Sequence, residues 1–314
     1  MMIYDGINNR KSKWKYTKKK MKKMWLLYVM LIVPVALTIL FKYGSMYGIL
    51  LAFKRYRISD GIMGSEWNNF EHFKNLFTSY NFKRVFFNTL IISVQKLIFV
   101  FPAPIIFALL INELVNLRFK KIIQTISYLP HFISWVVLGG IVTELLSPQR
   151  GAINFLITSL GGEPIYFLTS KTLFRPILVI TNIWQSMGWG AVIYIASLSS
   201  VDPMMYEAAE LDGASRLQKA WYISIPSITP VIIVMFILRL GKIMEMDFDQ
   251  IYNLYNPAVY SVGDVIDTYA YRVGLIDKRY DFITAVGLFK NVIGVVLVVG
   301  SNKIIKRFSE YGIW

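Results

Sequence analysis

The apolar positions of this chain gather into runs of about 20 residues that follow one another almost end to end. A helix needs about 20 mostly apolar residues to cross a bilayer. Six segments meet that requirement: Met24–Phe41, Asn88–Ile111, Ile122–Leu146, Leu173–Leu198, Ser227–Met246 and Phe282–Ile304. Pro34, Pro102, Pro104, Pro130, Pro176 and Pro230 fall in or near them. Neighbouring helices can satisfy the backbone groups that proline frees, so the spans stand. The predicted fold is an all-α integral membrane protein with six transmembrane helices. The first run is too long for a signal core and lacks a small-x-small cleavage pattern after it, so it reads as an uncleaved anchor.

Composition agrees with a lipid solvent. Of 314 residues, 55% are apolar and 17% charged, against about 45–50% and 25% in soluble domains. No large soluble domain fits between the spans. The chain divides into a basic tail, 1–23, and a transmembrane domain, 24–314.

The net charge of +15 invites a nucleic-acid reading, but lysines flanking apolar runs follow the positive-inside rule instead. Arg10, Lys11, Lys13, Lys15, Lys18, Lys19, Lys20, Lys22 and Lys23, opposed by Asp5, put the N-terminus in the cytoplasm. Six crossings return the C-terminus there, in accord with Lys303, Lys306 and Arg307. Arg118, Lys120 and Lys121, between spans two and three, agree. Lys54, Arg55 and Arg57, in the first external loop, do not. In the same loop Trp67, Phe70, Phe73, Leu76 and Phe77 recur at helical spacing, as in a short interfacial helix. The segment 151–160 suggests another.

The loop from Val201 to Pro226 breaks the charge pattern, opening with Asp202, Glu207, Glu210 and Asp212 before Arg216 and Lys219. Asp202 suits an N-cap and Pro203 the first helical position. Ala208 and Ala209 propagate a helix and permit close approach. Gly213 suits a left-handed helix end, and Ser215 caps a second helix that Pro226 is expected to stop. On physics alone, a docking element and an ordinary helical connector are equally good readings.

The spaced residues Glu207-Ala208-Ala209, Gly213 and Ile223-x-Ile225-Pro226 resemble the EAA loop of ABC importer permeases. Ile225 departs from the leucine usual before that proline. The stretches YLPHFISWVVLGG (128–140) and FDQIYNLYNPAVYSVGDVIDTYAYRVGL (248–275) are similar to the polysaccharide-type branch of sugar permeases. The resemblance implies a type I importer permease, with a cytoplasmic coupling helix between spans four and five docked on an ATP-binding subunit. The implied partners are a second, related permease, two ATPase subunits that bind ATP and Mg, an extracellular solute-binding protein and an oligosaccharide cargo.

Polar residues inside spans point to the path. Intramembrane charges cost about 2.5–3.5 kcal/mol on insertion scales and therefore face a cavity or a partner. Asn182, Gln185 and Trp189 share a face of span four, and Trp184 and Tyr194 add aromatic surface. Rings stack on the C–H faces of sugars while amides bond hydroxyls. Helix–helix hydrogen bonding is the competing role for these amides. Lys96, Arg239 and Lys290 fall at similar depth, beside Asn291. Three cations at one level suit an anionic cargo, such as uronate oligosaccharides. Snorkelling or pairing with Glu144, Glu245 or a partner subunit are the alternatives.

The chain has no cysteine and two histidines, His72 and His131, which disfavours a metal centre. No phosphate-binding loop of the Walker type is present, so ATP hydrolysis is expected in partner subunits. Asp247, Asp249, Asp264 and Asp267 match no calcium-loop spacing and read as solvated loop carboxylates. Other readings are an ABC permease for a non-sugar solute, an ion-coupled secondary transporter, and a membrane-embedded enzyme or scaffold. No nucleic-acid partner is expected.

Overall fold

The computed structural model describes residues 20–245 and 248–308. The charges expected to orient the N-terminus from Asp5 to Lys19 lie outside the described residues, as do Met246 and Asp247. Apart from one pair of two-residue strands, the described elements are helices and turns. The chain forms two units, 1–69 and 70–314.

In the first unit, α1 (Trp25–Thr38) continues through a π turn and a 3-10 stretch to Phe53. Its apolar residues point in every direction and none is buried, the pattern of a helix solvated by lipid or covered by a partner. The loop beyond it pairs β1 (Lys54–Arg55) with β2 (Glu66–Trp67), antiparallel, with Lys54 opposite Trp67. Lys54 is buried: its ammonium donates to the carbonyls of Ile62 and Met63 at 2.8 and 2.9 Å and lies 5.2 Å from the Trp67 ring centre. One of the cations that defied the orientation rule is thus an internal clamp of its own loop. Trp67 belongs to this hairpin and not to the expected interfacial helix.

The second unit begins with that helix, shortened to α2 (Glu71–Thr78), after Phe70 in a left-handed conformation, φ 66°. Span two is α3 (Tyr80–Phe99) followed directly by α4 (Pro102–Asn112), with Ser79 capping the start by accepting from the Phe82 amide. The third expected span is not straight. It comprises α5 (Leu117–Tyr128), a 3-10 turn over Leu129–Phe132, and α6 (Trp135–Leu145), and the two halves bend by 104°. Pro130 lies in the turn, and Ile133 and Ser134 are extended, so the hydrogen-bond ladder stops there. The segment expected to form a second surface helix does so, as α7 (Ala152–Ser159).

Span four is α8 (Phe174–Leu198), packed along α4, with α5 and the 3-10 turn also against it. Close approach is built in. A Cβ on Gly190 would meet Pro104, and one on Gly188 would fall on the Ser127 carbonyl. Gly188→Ala therefore forces backbone apart, and we expect about 1–3 kcal/mol of destabilisation from overpacking. Thermal unfolding of the purified protein in detergent should show it; an unchanged midpoint would mean that the helices separate freely. Ala108, Ala191, Tyr194, Leu198 and Ile228 fill the contact beneath.

Four described helices are long and apolar enough to cross a membrane, or five if the bent pair counts as one. The 25-residue α8 has the length but is diluted by Thr181, Asn182, Gln185 and Ser186. Further helices are α9 (Pro203–Leu211), α10 (Arg216–Lys219), α11 (Ile225–Gly241), α12 (Phe248–Leu254), α13 (Ile266–Ala270) and α14 (Tyr280–Phe308), with shorter turns between them. Span five ends at Gly241, five residues before the expected Met246.

Candidate coupling element and transport pathway

The 201–226 loop folds largely as its local chemistry dictates. The Asp202 carboxylate accepts from the Met204 amide at 3.0 Å, and Pro203 opens α9. Gly213 ends α9 with φ 77°, while the Gly213 and Ala214 amides return to the carbonyls of Glu210 and Ala209. Ser215 and Gln218 form a reciprocal capping box at the start of α10. Glu210 and Lys219 pair at 3.7 Å across the bend, and the Tyr206 and Ser224 hydroxyls meet at 2.9 Å.

Pro226 departs from expectation. It does not stop the second helix. The chain runs from α10 through a π turn, Ala220–Ser224, into α11, giving one apolar run from Arg216 to Gly241. Pro226 occupies the first turn of α11, and the wider π turn before it relieves the register that a proline would otherwise break.

No residue of α9 is buried. Glu207, Ala208, Asp212, Gly213 and Pro226 are exposed, and Ala209 and Ile223 half-buried. Met204, Leu211, Leu217, Trp221 and Tyr222 also stand in the open. The Glu207 carboxylate makes no ion pair or hydrogen bond among the described residues. The element is a rigid, bent projection with acidic and apolar groups unspent.

Within the spans, the candidate polar residues separate into two kinds. Asn182 is buried and donates to Gln250 Oε1 at 3.4 Å. Lys96, 1% exposed, donates to the same oxygen at 2.6 Å. The Gln250 amide nitrogen donates to the Leu178 carbonyl and the Thr181 hydroxyl at 2.8 and 2.9 Å. Gln250, wholly buried on α12, thus knots α3 and α8 to the segment after span five. Asn182 and Lys96 are both held in this knot. Tyr194 is buried with Ala108 and Ala191 and also borders the cleft near Arg239. Trp189 stacks on His131 at 5.0 Å and meets Phe132 edge-on, filling the elbow of the bent span. Gln185 is half-buried, and Trp184, 45% exposed, faces outward.

The cations also differ. Lys290 pairs with Asp267 at 2.5 Å, next to exposed Asn291, on the border of a cleft of about 430 Å³. Asp264 is wholly buried, paired with Arg272 at 2.6 Å and held by the Thr268 hydroxyl at 2.9 Å. Burial works to lower the Arg272 guanidinium, and the hydrogen bond and charge of Asp264 outweigh it, holding it above its ordinary value. The expectation of solvated loop carboxylates thus fails for Asp264 and Asp267; Asp249 is exposed, as expected. Beside this pair, Arg175 donates to the Val262 carbonyl and to Asn88, and Asn88 donates to the Ser261 and Asp264 carbonyls. Neither Gln250 nor the Asp264–Arg272 pair was flagged by sequence reasoning. The available signal was polar residues recurring opposite the aromatic ones in 248–272.

Arg239 remains, with Lys242 three residues further on. They stand at the C-terminal end of α11, where the helix dipole favours cations. With Phe101, Pro104, Ser186 and Tyr194 they border a cleft of about 400 Å³. Among the described residues neither makes an ion pair.

Apolar helices of spanning length, an exposed bent projection and clefts between the helices fit a multi-pass membrane protein. A family model for the binding-protein-dependent transport system inner membrane component matches residues 100–308. Protein LplB of Bacillus subtilis (strain 168) is 43% identical over 92% of this chain and 91% of its own. The polygalacturonan/rhamnogalacturonan transport system permease protein YteP of the same organism is 41% identical over 99% and 97%. A chain of a bacterial alginate ABC transporter, crystallised with an alginate pentasaccharide-bound periplasmic protein, superposes with a TM-score of 0.86 at 41% identity, covering 94% of this chain and 99% of that one. The chain belongs to the binding-protein-dependent transport system inner membrane component family and is a membrane-spanning permease subunit of an ABC importer.

Proposed function

We propose that this permease carries an acidic oligosaccharide from a solute-binding protein through the inner membrane. The observation that carries the reading is the sorting of cations: Lys96 and Lys290 are engaged inside the chain, whereas Arg239 and Lys242 border a cleft without a carboxylate partner among the described residues. An unpaired guanidinium in a low-dielectric cleft favours an anion and offers bidentate geometry to a carboxylate. The similarity to permeases named for polygalacturonan/rhamnogalacturonan and alginate supports it.

The rest of the assembly follows from this role. The chain crosses six times, the bent α5–α6 pair and α8 included, with both termini in the cytoplasm. A second permease completes the lumen. The chain supplies no ATPase site; ATP and Mg bind in two partner subunits. The α9 projection docks on one of them, with Glu207 accepting charged hydrogen bonds and Ala208 and Ala209 allowing close seating. Asp202, Asp212, Gly213, Ile223 and Pro226 hold its shape. Gln185 and Trp184 are the span-four residues placed to meet cargo.

Proteoliposomes holding the whole complex test the charge reading. Arg239→Gln should lower uptake of a labelled galacturonate trimer about tenfold, the worth of one charged hydrogen bond, and leave a neutral trimer unaffected. Equal loss for both sugars, or a native complex that prefers the neutral one, would sink it.

A further inference from the structure

On α12, the positions 250, 251 and 254 are buried, and 248 and 252 lie on its more open side. Gln250, Ile251 and Leu254 anchor the helix. Phe248 and Tyr252, four apart on the more open side, and Tyr255, just past the helix end and partly packed on the core of Ile251 and Leu254, form an aromatic stripe. Other elements lengthen it. Phe248 stacks on Tyr252 at 5.1 Å, Tyr271 meets Tyr252 edge-on at 5.2 Å, and Tyr255 lies 4.9 Å from Tyr260. The Arg272 guanidinium sits 5.0 Å from the Tyr260 ring at the end of the row. Five rings in unbroken contact are none of them buried, and Tyr252 is 40% exposed.

We propose that this row is a carbohydrate-stacking platform, on which the cargo's pyranose faces lie on their way to the Arg239 cleft. The proposal rests on the oligosaccharide reading above. Two features separate the row from its alternatives. A packed core would bury its rings, as the other face of α12 buries its own residues. The exposed apolar residues of α14, Val292, Val295, Val296, Val299 and Ile304, are aliphatic, whereas four of these five rings are tyrosines. A flat apolar face edged with hydroxyls matches a sugar ring, which presents C–H groups on its faces and hydroxyls around its rim. The Arg272 side chain, 29% exposed, adds a donor at the end of the row for a hydroxyl or a carboxylate.

The test uses the complete complex, with both permeases, the ATPases and the binding protein, in proteoliposomes. Its probes are a galacturonate trimer and a neutral arabinose trimer. Tyr252→Leu should raise the half-saturating concentration of whichever trimer the native complex moves by about tenfold, the loss of one stacked ring. Tyr252→Phe, which keeps the ring, should stay within about twofold of the native complex. Assembly, read by gel filtration, should be unchanged in both. Native-like transport by Tyr252→Leu overturns the proposal. So does its separation from the second permease, which would make the row a subunit seal. A native complex that moves the neutral trimer alone removes the Arg239 reading but leaves the leucine–phenylalanine contrast to decide this one. A complex that moves neither trimer overturns both.

Discussion

Asp264→Ala is expected to destabilise the protein by about 3–5 kcal/mol, the usual result of removing one partner from a buried ion pair. Asp264 is wholly enclosed, and its carboxylate takes both the Arg272 guanidinium and the Thr268 hydroxyl. Its removal leaves Arg272, seven-tenths covered, facing an emptied site. It also loosens the corner where Asn88 of α3 holds the Ser261 and Asp264 carbonyls. The cost should therefore appear as a fall in unfolding temperature and in the yield of assembled complex. The double change Asp264→Ala with Arg272→Met separates charge from packing. Taking both charges away should recover much of the loss, because desolvation no longer opposes folding. A double variant as unstable as the single one would show that the pair acts through shape alone.

Gly213→Val is expected to abolish uptake while leaving membrane insertion and the spans intact. Gly213 holds φ 77°, and a Cβ placed there meets nothing within 4 Å. The cost is therefore conformational, about 1–2 kcal/mol for a side chain in the left-handed region and more for a β-branched one. The element can escape this strain by opening the α9–α10 bend, which parts Glu210 from Lys219 and turns Glu207 and Ala208 away from the docking geometry. Gly213→Asn is the informative companion, since asparagine tolerates this conformation and should keep most of the uptake. Co-purification of the ATPase with each variant reads docking directly. Full transport by the valine variant would separate this loop from coupling.

The local chemistry of the loop was legible because its determinants are local: a cap at Asp202, a proline at the first helical position, a glycine at the turn. Pro226 misled because its effect depends on the register of the preceding turn, and a π turn there lets the helix run on. The same limit applies at Pro130, where the chain bends by 104° instead of tolerating the ring. Beside that corner His131 stacks on Trp189, a contact between elements that the chain's local pattern does not reveal. Asp264 and Asp267 read as solvated because nothing nearby in sequence shows that Arg272 and Lys290 will reach them across the fold. The amides of span four were visible as unusual. That Asn182 turns inward to Gln250 while Trp184 faces out is a matter of helix rotation, which one helix's pattern leaves open when its neighbours are unknown.

The uninterrupted helix from Arg216 to Gly241 has a mechanical consequence. Twenty-six residues make a rod about 39 Å long. Leu217, exposed, stands at one end and Arg239 at the other. A pivot of about 10° about either end of such a rod sweeps the opposite end through about 7 Å. The swing is on the scale of a sugar ring. A rod of this length carries a displacement of its α10 end to the Arg239 cleft without a relay of small rearrangements.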